Sequence, residues 1–236
     1  MPILYAIPAP LGAPAADSLP LAAIEIVRTL RDFVAENPKS ARAFLAGLKM
    51  PCPIGEIAIE RLDEHTRANE VPALLAALRA GRPLGLVSEA GCPAIADPGA
   101  ALVDAAHREG FRVVPLVGPS SITLALMASG LEGQRFAFCG YLPREPLKRK
   151  MRIKELENRS LREDETEIFI ETPYRNEALL EALLSTCAST TLLCVAADLT
   201  LATEKVAVKT IGEWRRGAEP VGRRPAVFLL LANGAR

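Results

Sequence analysis

Leu84-Gly85-Leu86-Val87-Ser88-Glu89-Ala90-Gly91-Cys92-Pro93-Ala94-Ile95-Ala96-Asp97-Pro98-Gly99 begins as an apolar run and stops abruptly in a loop. Leu84 to Val87 follows a turn signal, Gly81-Arg82-Pro83, and its lack of polar alternation predicts a strand buried on both faces of a parallel sheet. Ser88, Glu89, Gly91, Pro93, Asp97, Pro98 and Gly99 set backbone angles or hydrogen-bond their own backbone, so they predict an ordered loop. Open α/β sheets bind ligands outside the carboxyl ends of their strands, which makes this loop the first candidate site.

Toward the N-terminus, Ile3 to Ile7 predicts a strand, and the rigid loop Pro8 to Pro14 brings the backbone of Pro10, Leu11 and Gly12 close to a ligand. Asp17 or Ser18 is expected to cap a helix over Leu19 to Leu30, with Leu21, Ile24, Val27 and Leu30 at helical spacing. Asp32 to Glu36 predicts a short strand. Pro38-Lys39-Ser40 opens a helix, Met50 to Gly55 is a connector, and Thr66 to Ala80 predicts a helix with Val71, Leu74, Leu75 and Leu78 inward.

Toward the C-terminus, a helix from Ala100 to Glu109 ends at Gly110, and Arg112 to Val117 predicts a strand. Gly118-Pro119-Ser120-Ser121 then leads into a helix over Ile122 to Ser129, whose free N–H groups and positive dipole end make a second candidate ligand loop. Gly130 to Gln134 closes the first domain, so the expected organisation is 1–133 and 134–236. In the second domain, strands are expected at Phe136 to Cys139, Thr166 to Ile170, Leu192 to Ala197, Lys205 to Thr210 and Ala226 to Ala232, with helices over Arg144 to Arg162 and Asn176 to Ser185. The fold class is therefore α/β, with two α/β lobes and a small-molecule cleft between them.

Composition narrows the chemistry. Lys plus Arg and Asp plus Glu number 28 each, so no whole-chain field draws nucleic acid and any basic surface is local. Met1-Pro2-Ile3-Leu4 carries no basic leader and no apolar run approaches the ~20 residues of a membrane span, which predicts a soluble, cytoplasmic protein without membrane contact. The five cysteines form no Cys-x-x-Cys pair, arguing against a zinc site or a disulfide frame. His65 in a polar turn and His107 on a charged helix are poorly placed for a Ser/His or Cys/His hydrolase. The dinucleotide fingerprint, the P-loop, Gly-x-Ser-x-Gly and His-Glu-x-x-His are all absent. What remains is a cleft of backbone and small hydroxyls with acidic Glu89, which suits a polar ligand with a positive centre.

These residues resemble a known family. Val87-Ser88-Glu89-Ala90-Gly91-Cys92-Pro93 with Asp97-Pro98-Gly99 is similar to Val-Ser-Asp-Ala-Gly-Thr-Pro followed by Ser-Asp-Pro-Gly of the tetrapyrrole methylase superfamily. Pro115 to Ser121 is similar to its Pro-Leu-Pro-Gly-Pro-Ser-Ala, Phe138 to Pro143 to its Phe-x-Gly-Phe-Leu-Pro, and Glu171-Thr172-Pro173-Tyr174-Arg175 to its Glu-Ser/Thr-Pro-His-Arg. The order holds over nearly the whole chain, and the likeness is strongest to the branch acting on a cytidine 2′-oxygen of small-subunit ribosomal RNA. The resemblance implies a homodimeric, two-domain methyltransferase with S-adenosylmethionine in the cleft between lobes. It implies that Pro10 and Leu11 close over the cofactor, that Ser88, Glu89 and Gly91 hold its amino-acid and ribose parts, and that Ser120 and Ser121 bond it from the second loop. Glu171, Leu199 and Pro225 then lie near the adenine; for Leu11, Leu199 and Pro225, simple packing is the alternative.

The departures concentrate where an acceptor is expected. The family's Gly-Asn-Leu-x-Asp stands here as Gly12 to Asp17, its Ala-Glu-Asp-Thr-Arg as Ala35-Glu36-Asn37-Pro38-Lys39, its His as Tyr174 and its Thr as Cys92. The chain also ends just after the last expected strand, without the small C-terminal extension typical of that branch. Glu36 is the one candidate for a catalytic base, with a solvated carboxylate as the alternative. Arg144 to Arg162 holds eight basic and three acidic residues, a local +5; a solvated helix is the usual reading of such a run, and an RNA surface with Lys148, Arg149 and Lys150 as phosphate contacts is the sharper one. A small metabolite or tetrapyrrole is the rival acceptor, and a non-catalytic protein that binds S-adenosylmethionine is the rival class.

Overall fold

The apolar runs lie in two five-stranded sheets, one in each of two units, Met1–Ser120 and Ser121–Arg236. The structure is a computed structural model, and it describes residues 2–232.

In the first unit the strand order is β3-β2-β4-β1-β5, with β1 Ile3–Ile7, β2 Asp32–Ala35, β3 Ala58–Arg61, β4 Leu84–Val87 and β5 Arg112–Pro115. All neighbours are parallel, and every residue of central β4 is buried, as its unbroken apolar run requires. Gly85 stands within that run because Phe33 lies against it; a Cβ there would come 2.6 Å from the Phe33 ring. Ala35 is in register with both Val87 and Arg61, so Glu36, Leu62 and Ser88 leave the sheet side by side. Parallel pairing thus gathers residues far apart in the chain at one sheet edge.

Five helices complete this unit: α1 Ala15–Ser18, α2 Leu21–Thr29, α3 Pro38–Gly47, α4 Ala76–Arg79 and α5 Gly99–Arg108. The helix expected over Leu19 to Leu30 starts two residues later, as α2, and the short α1 ahead of it was not expected. Pro20, which has no N–H to donate, stands at the N-cap of α2, and Ser18 Oγ donates to Pro14 O at 3.1 Å rather than capping it. The helix expected over Thr66 to Ala80 is shorter than its apolar pattern: turns precede a 3₁₀ segment, Val71–Leu75, and then α4. Edge strand β3 was not expected; its exposed Ala58, Glu60 and Arg61 do not read as a buried run.

The second unit begins with α6 Ser121–Ser129, followed by β6 Phe136–Tyr141, α7 Pro146–Glu163, β7 Thr166–Glu171, α8 Asn176–Thr186, β8 Leu192–Ala197, β9 Lys205–Thr210, α9 Ile211–Arg216 and β10 Ala226–Leu231. Its sheet order is β6-β7-β10-β8-β9, with β6 and β7 parallel and the remaining pairs antiparallel. Helix α6 packs on β8, β9 and β10, so the division between units falls at Ser120/Ser121, ahead of the expected 133/134 boundary. α9 was not expected; its start is a capping box in which Thr210 and Glu213 satisfy each other's backbone N–H.

Phe169 and Phe228 stack at 6.1 Å in the core of this unit, and two buried carboxylates tie α7 to it. Glu157 accepts from Ala188 N at 2.6 Å, Thr191 Oγ1 at 2.6 Å and Lys154 Nζ at 2.7 Å. Glu167, with a fully buried side chain, accepts from both Nε and Nη2 of Arg159 and from the Cys139 thiol. Burial and the adjacent carboxylate push that thiol up to about 11, so it stays a donor at neutral pH. Among the described residues no helix is long and apolar enough to cross a membrane, and no cluster of His, Cys, Asp and Glu could hold a metal ion.

Candidate functional site

In the first unit the loop after β4 is fixed from within. Ser88, buried, donates its hydroxyl to Gly91 O at 2.8 Å, and Gly91 exchanges two backbone bonds of 2.9 Å with Ala9. That bridge fastens Pro10 and Leu11 against the glycine loop. Gly91 has φ +73°, and a Cβ there would meet the Leu11 side chain at 3.4 Å. Asp97 Oδ1 accepts from Ala94 N at 2.7 Å and Gly99 N at 2.8 Å. These bonds enclose Ala94 and Ala96, held at φ +65° and +59°, a conformation costing of order 1 kcal/mol each. Burial raises the Asp97 carboxyl against the pull of the same two amides. The Cys92 thiol reaches Pro119 O at 3.5 Å, joining the two loops singled out in the sequence.

Beside this loop lies a cavity of about 390 Å³ whose wall includes Glu36, Asp63, Glu64 and Glu89 together with Arg61 and His65. Arg61 is already taken by Asp63 at 2.6 Å, so the cavity is acidic. Burial comes first in raising the Glu36 carboxyl above its ordinary 4.5, followed by the charges of Glu89, Asp97, Glu64 and Asp63. The altered segment after Glu36 has a structural role: Asn37 caps α3 by accepting from Lys39 N at 3.0 Å, with Pro38 at the first helical position. Ser40, on the first turn of α3, donates to Glu89 Oε1 at 2.5 Å. Glu89 is exposed at the cavity wall.

In the second unit, antiparallel pairing sets Ala226 opposite both Glu171 and Ala197. Glu171 is buried, and its Oε1 takes Thr172 N at 2.6 Å, Arg175 Nε at 2.9 Å and Arg175 Nη2. Its Oε2 is buried without a partner. Leu199 is buried between Asp198 and Thr200, both at positive φ, and the carbonyl of exposed Pro225 accepts from Asp198 N at 3.0 Å. Half-buried Ser121 opens α6 and half-buried Ser120 precedes it. A buried acceptor with no donor fits an amine N–H brought by a ligand, and an acidic cavity fits a cationic centre or a proton to be removed.

Ser40, Arg61, Asp63, Glu64 and His65 were not read as site residues. The one signal for most of them was the strand β3, hidden by its exposed, polar second half. On α7 the expected RNA contacts need correction: Arg149 is 7% exposed and faces inward. Lys148, Arg152 and Arg162 pair with Glu145, Glu155 and Glu163 at 2.7–2.8 Å, while exposed Arg144 and Lys150 have no ion pair among the described residues.

Comparison with known proteins adds a family. Residues 4–214 match the model of the tetrapyrrole (corrin/porphyrin) methylases. The chain is 35% identical over 211 residues to ribosomal RNA small subunit methyltransferase I of Xylella fastidiosa, covering 89% of this chain and 74% of that protein. It is 30% identical over 234 residues to the protein of that name from Escherichia coli O157:H7, covering 98% and 77%. Among solved structures, the methyltransferase CobJ has a TM-score of 0.64 at 20% identity, over 100% of this chain and 95% of its own. The cobalamin biosynthetic enzyme cobalt precorrin-4 methyltransferase CbiF has 0.60 at 16%, over 97% and 94%. At these identities the structural likeness speaks for the fold.

Proposed function

Since the chain belongs to the tetrapyrrole methylase family and is a methyltransferase, we propose that it transfers the methyl of S-adenosylmethionine to a ribose 2′-oxygen of small-subunit ribosomal RNA in the cytoplasm. The observation that carries this reading is the likeness to the ribosomal RNA enzymes over 89–98% of the chain, joined to a site whose polar groups suit that cofactor. The sulfonium supplies an activated methyl: transfer breaks its S–C bond, forms an O–C bond and releases S-adenosylhomocysteine and the acceptor's proton.

The protein's own part is to bind, align and remove that proton. Glu171 Oε2 accepts the adenine amine, with Leu199 and Pro225 beside the ring. Ser120 and Ser121 bond the cofactor from the α6 side. Glu89 faces its positive part, while Ser88 and Gly91 keep the loop in shape and Pro10 and Leu11 cover it. Glu36 takes the proton, for which its raised affinity fits it better than an ordinary carboxylate.

The test is transfer of labelled methyl from S-adenosylmethionine into the RNA, protein and small-molecule fractions of a cell extract. Label in small-subunit RNA is the expected result. Label confined to a small molecule would put a metabolite or tetrapyrrole in its place, and cofactor binding without turnover would make the protein non-catalytic.

RNA would be tracked along α7. Because most of its cations are paired or inward, replacing Arg144 and Lys150 together should lower the salt slope of RNA affinity by roughly one to two. An unchanged slope would remove α7 from the interface. The protein is also proposed to be a homodimer: Leu147, Met151 and Leu161 leave large apolar side chains exposed on α7. Light scattering should give twice the chain mass, and a monomer mass at micromolar concentration would refute it.

A further inference from the structure

We infer that Ser40 is a positioning residue: its hydroxyl fixes the Glu89 carboxylate beside Glu36 in the acidic cavity, and so makes Glu36 the carboxyl that takes the acceptor's proton. The role in transfer rests on the methyltransferase reading above; the coupling of the three side chains does not.

The geometry gives Ser40 a choice that chemistry decides. One hydroxyl proton has two acceptors in reach, Asn37 O at 3.1 Å and Glu89 Oε1 at 2.5 Å. Asn37 O already receives the helical bond of Ala41 N at 3.0 Å, so the first turn of α3 does not need the hydroxyl. A carboxylate is the stronger acceptor and shows the shorter distance, so the proton goes to Glu89.

Ser40 is itself held rigidly. Asn37 and Pro38 set the start of α3, and the next residue, Ala41, is buried with Leu45 beneath the helix. Glu89, by contrast, is exposed and lies 49 residues away on the loop after β4. Released from Ser40, its side chain is free to turn into solvent, taking its charge away from Glu36.

That charge matters because of what else faces Glu36. Glu89 and Asp97 come from the β4 loop and Asp63 and Glu64 from the segment after β3, all raising its proton affinity, with Glu89 the largest of the four. Of the cavity's bases, Arg61 is bound to Asp63, and His65 stands 3.7 Å from Glu64. Moving Glu89 away therefore removes the principal neighbouring charge and lowers the pH at which Glu36 titrates.

The experiment is a carbon-detected titration of the full-length protein carrying ¹³C-carboxyl glutamate, with the Glu36 signal assigned by its loss in Glu36→Gln. Ser40→Ala should move the Glu36 midpoint down by roughly half a pH unit, and Glu89→Gln should move it at least as far. Ser40→Thr, which keeps the hydroxyl, should leave it at the wild-type value. The acid limb of methyl transfer should follow the same order. An unmoved midpoint in Ser40→Ala overturns the inference whatever Glu89→Gln does, and so does an equal shift in Ser40→Thr. Because the titration uses neither cofactor nor acceptor, a wild-type protein that fails to transfer methyl would sink the proposed function while the coupling is still measured.

Discussion

Arg159→Ala should cost about 3 kcal/mol of unfolding free energy, read as a fall in the urea midpoint with little change in slope. The arginine is about one-third exposed, which places the effect at the low end for a broken buried pair, but its partner is the side chain of Glu167, fully buried in β7. Without the guanidinium that carboxylate keeps only the weak thiol bond from Cys139 at 3.2 Å. The cause is an orphaned charge rather than a lost attraction, so a compensating change identifies it. Arg159→Met combined with Glu167→Leu removes both members and should recover most of the loss. If the double variant is no more stable than Arg159→Ala alone, the damage lies in packing and the charge argument fails.

The second large effect concerns binding. Glu171→Gln should weaken S-adenosylhomocysteine by roughly ten- to a hundredfold in calorimetry, equivalent to about 1–3 kcal/mol. Thr172 and Arg175 crowd their donors onto Oε1, leaving Oε2 buried and free. A glutamine held by the same donors keeps its oxygen there and turns its NH₂ to the Oε2 position, setting a donor against the amine that a carboxylate would accept. The variant also takes the negative charge away from Arg175, so its melting temperature must be followed alongside. Unchanged affinity would remove Glu171 from the site.

Strand Leu84–Val87 and the sheet edge it opens were legible because an apolar run bounded by turn residues has few other uses. Leu192–Ala197 was read to the residue for the same reason and Ala226–Leu231 to within one, while Lys205–Thr210 matched from its alternating lysines and valines. What misled was local chemistry that overrides periodicity: Pro20 delays the start of a helix, and polar Glu60 and Arg61 mask an edge strand. Thr210 and Glu213 spelled out a capping box in plain sequence, yet the expected strand before them drew the reading away. The cavity was the least legible part. Glu36, Asp63 and Glu89 meet because Ala35, Arg61 and Val87 share a register, and register between parallel strands joined by long crossovers leaves no local mark.

The position of β10 carries a consequence for how the chain is made. It is the last described strand yet the centre of its sheet, lying between β7 and β8. The first sheet has all five strands by Pro115 and can close while synthesis continues. The second cannot: until Leu231 has left the ribosome, β7 and β8 each present an unpaired edge flanked by apolar side chains, a template for pairing with the wrong chain. The vulnerable interval in this protein's life therefore runs from the emergence of β8 to that of β10, when the first sheet is complete and the second waits for a six-residue insertion at its centre.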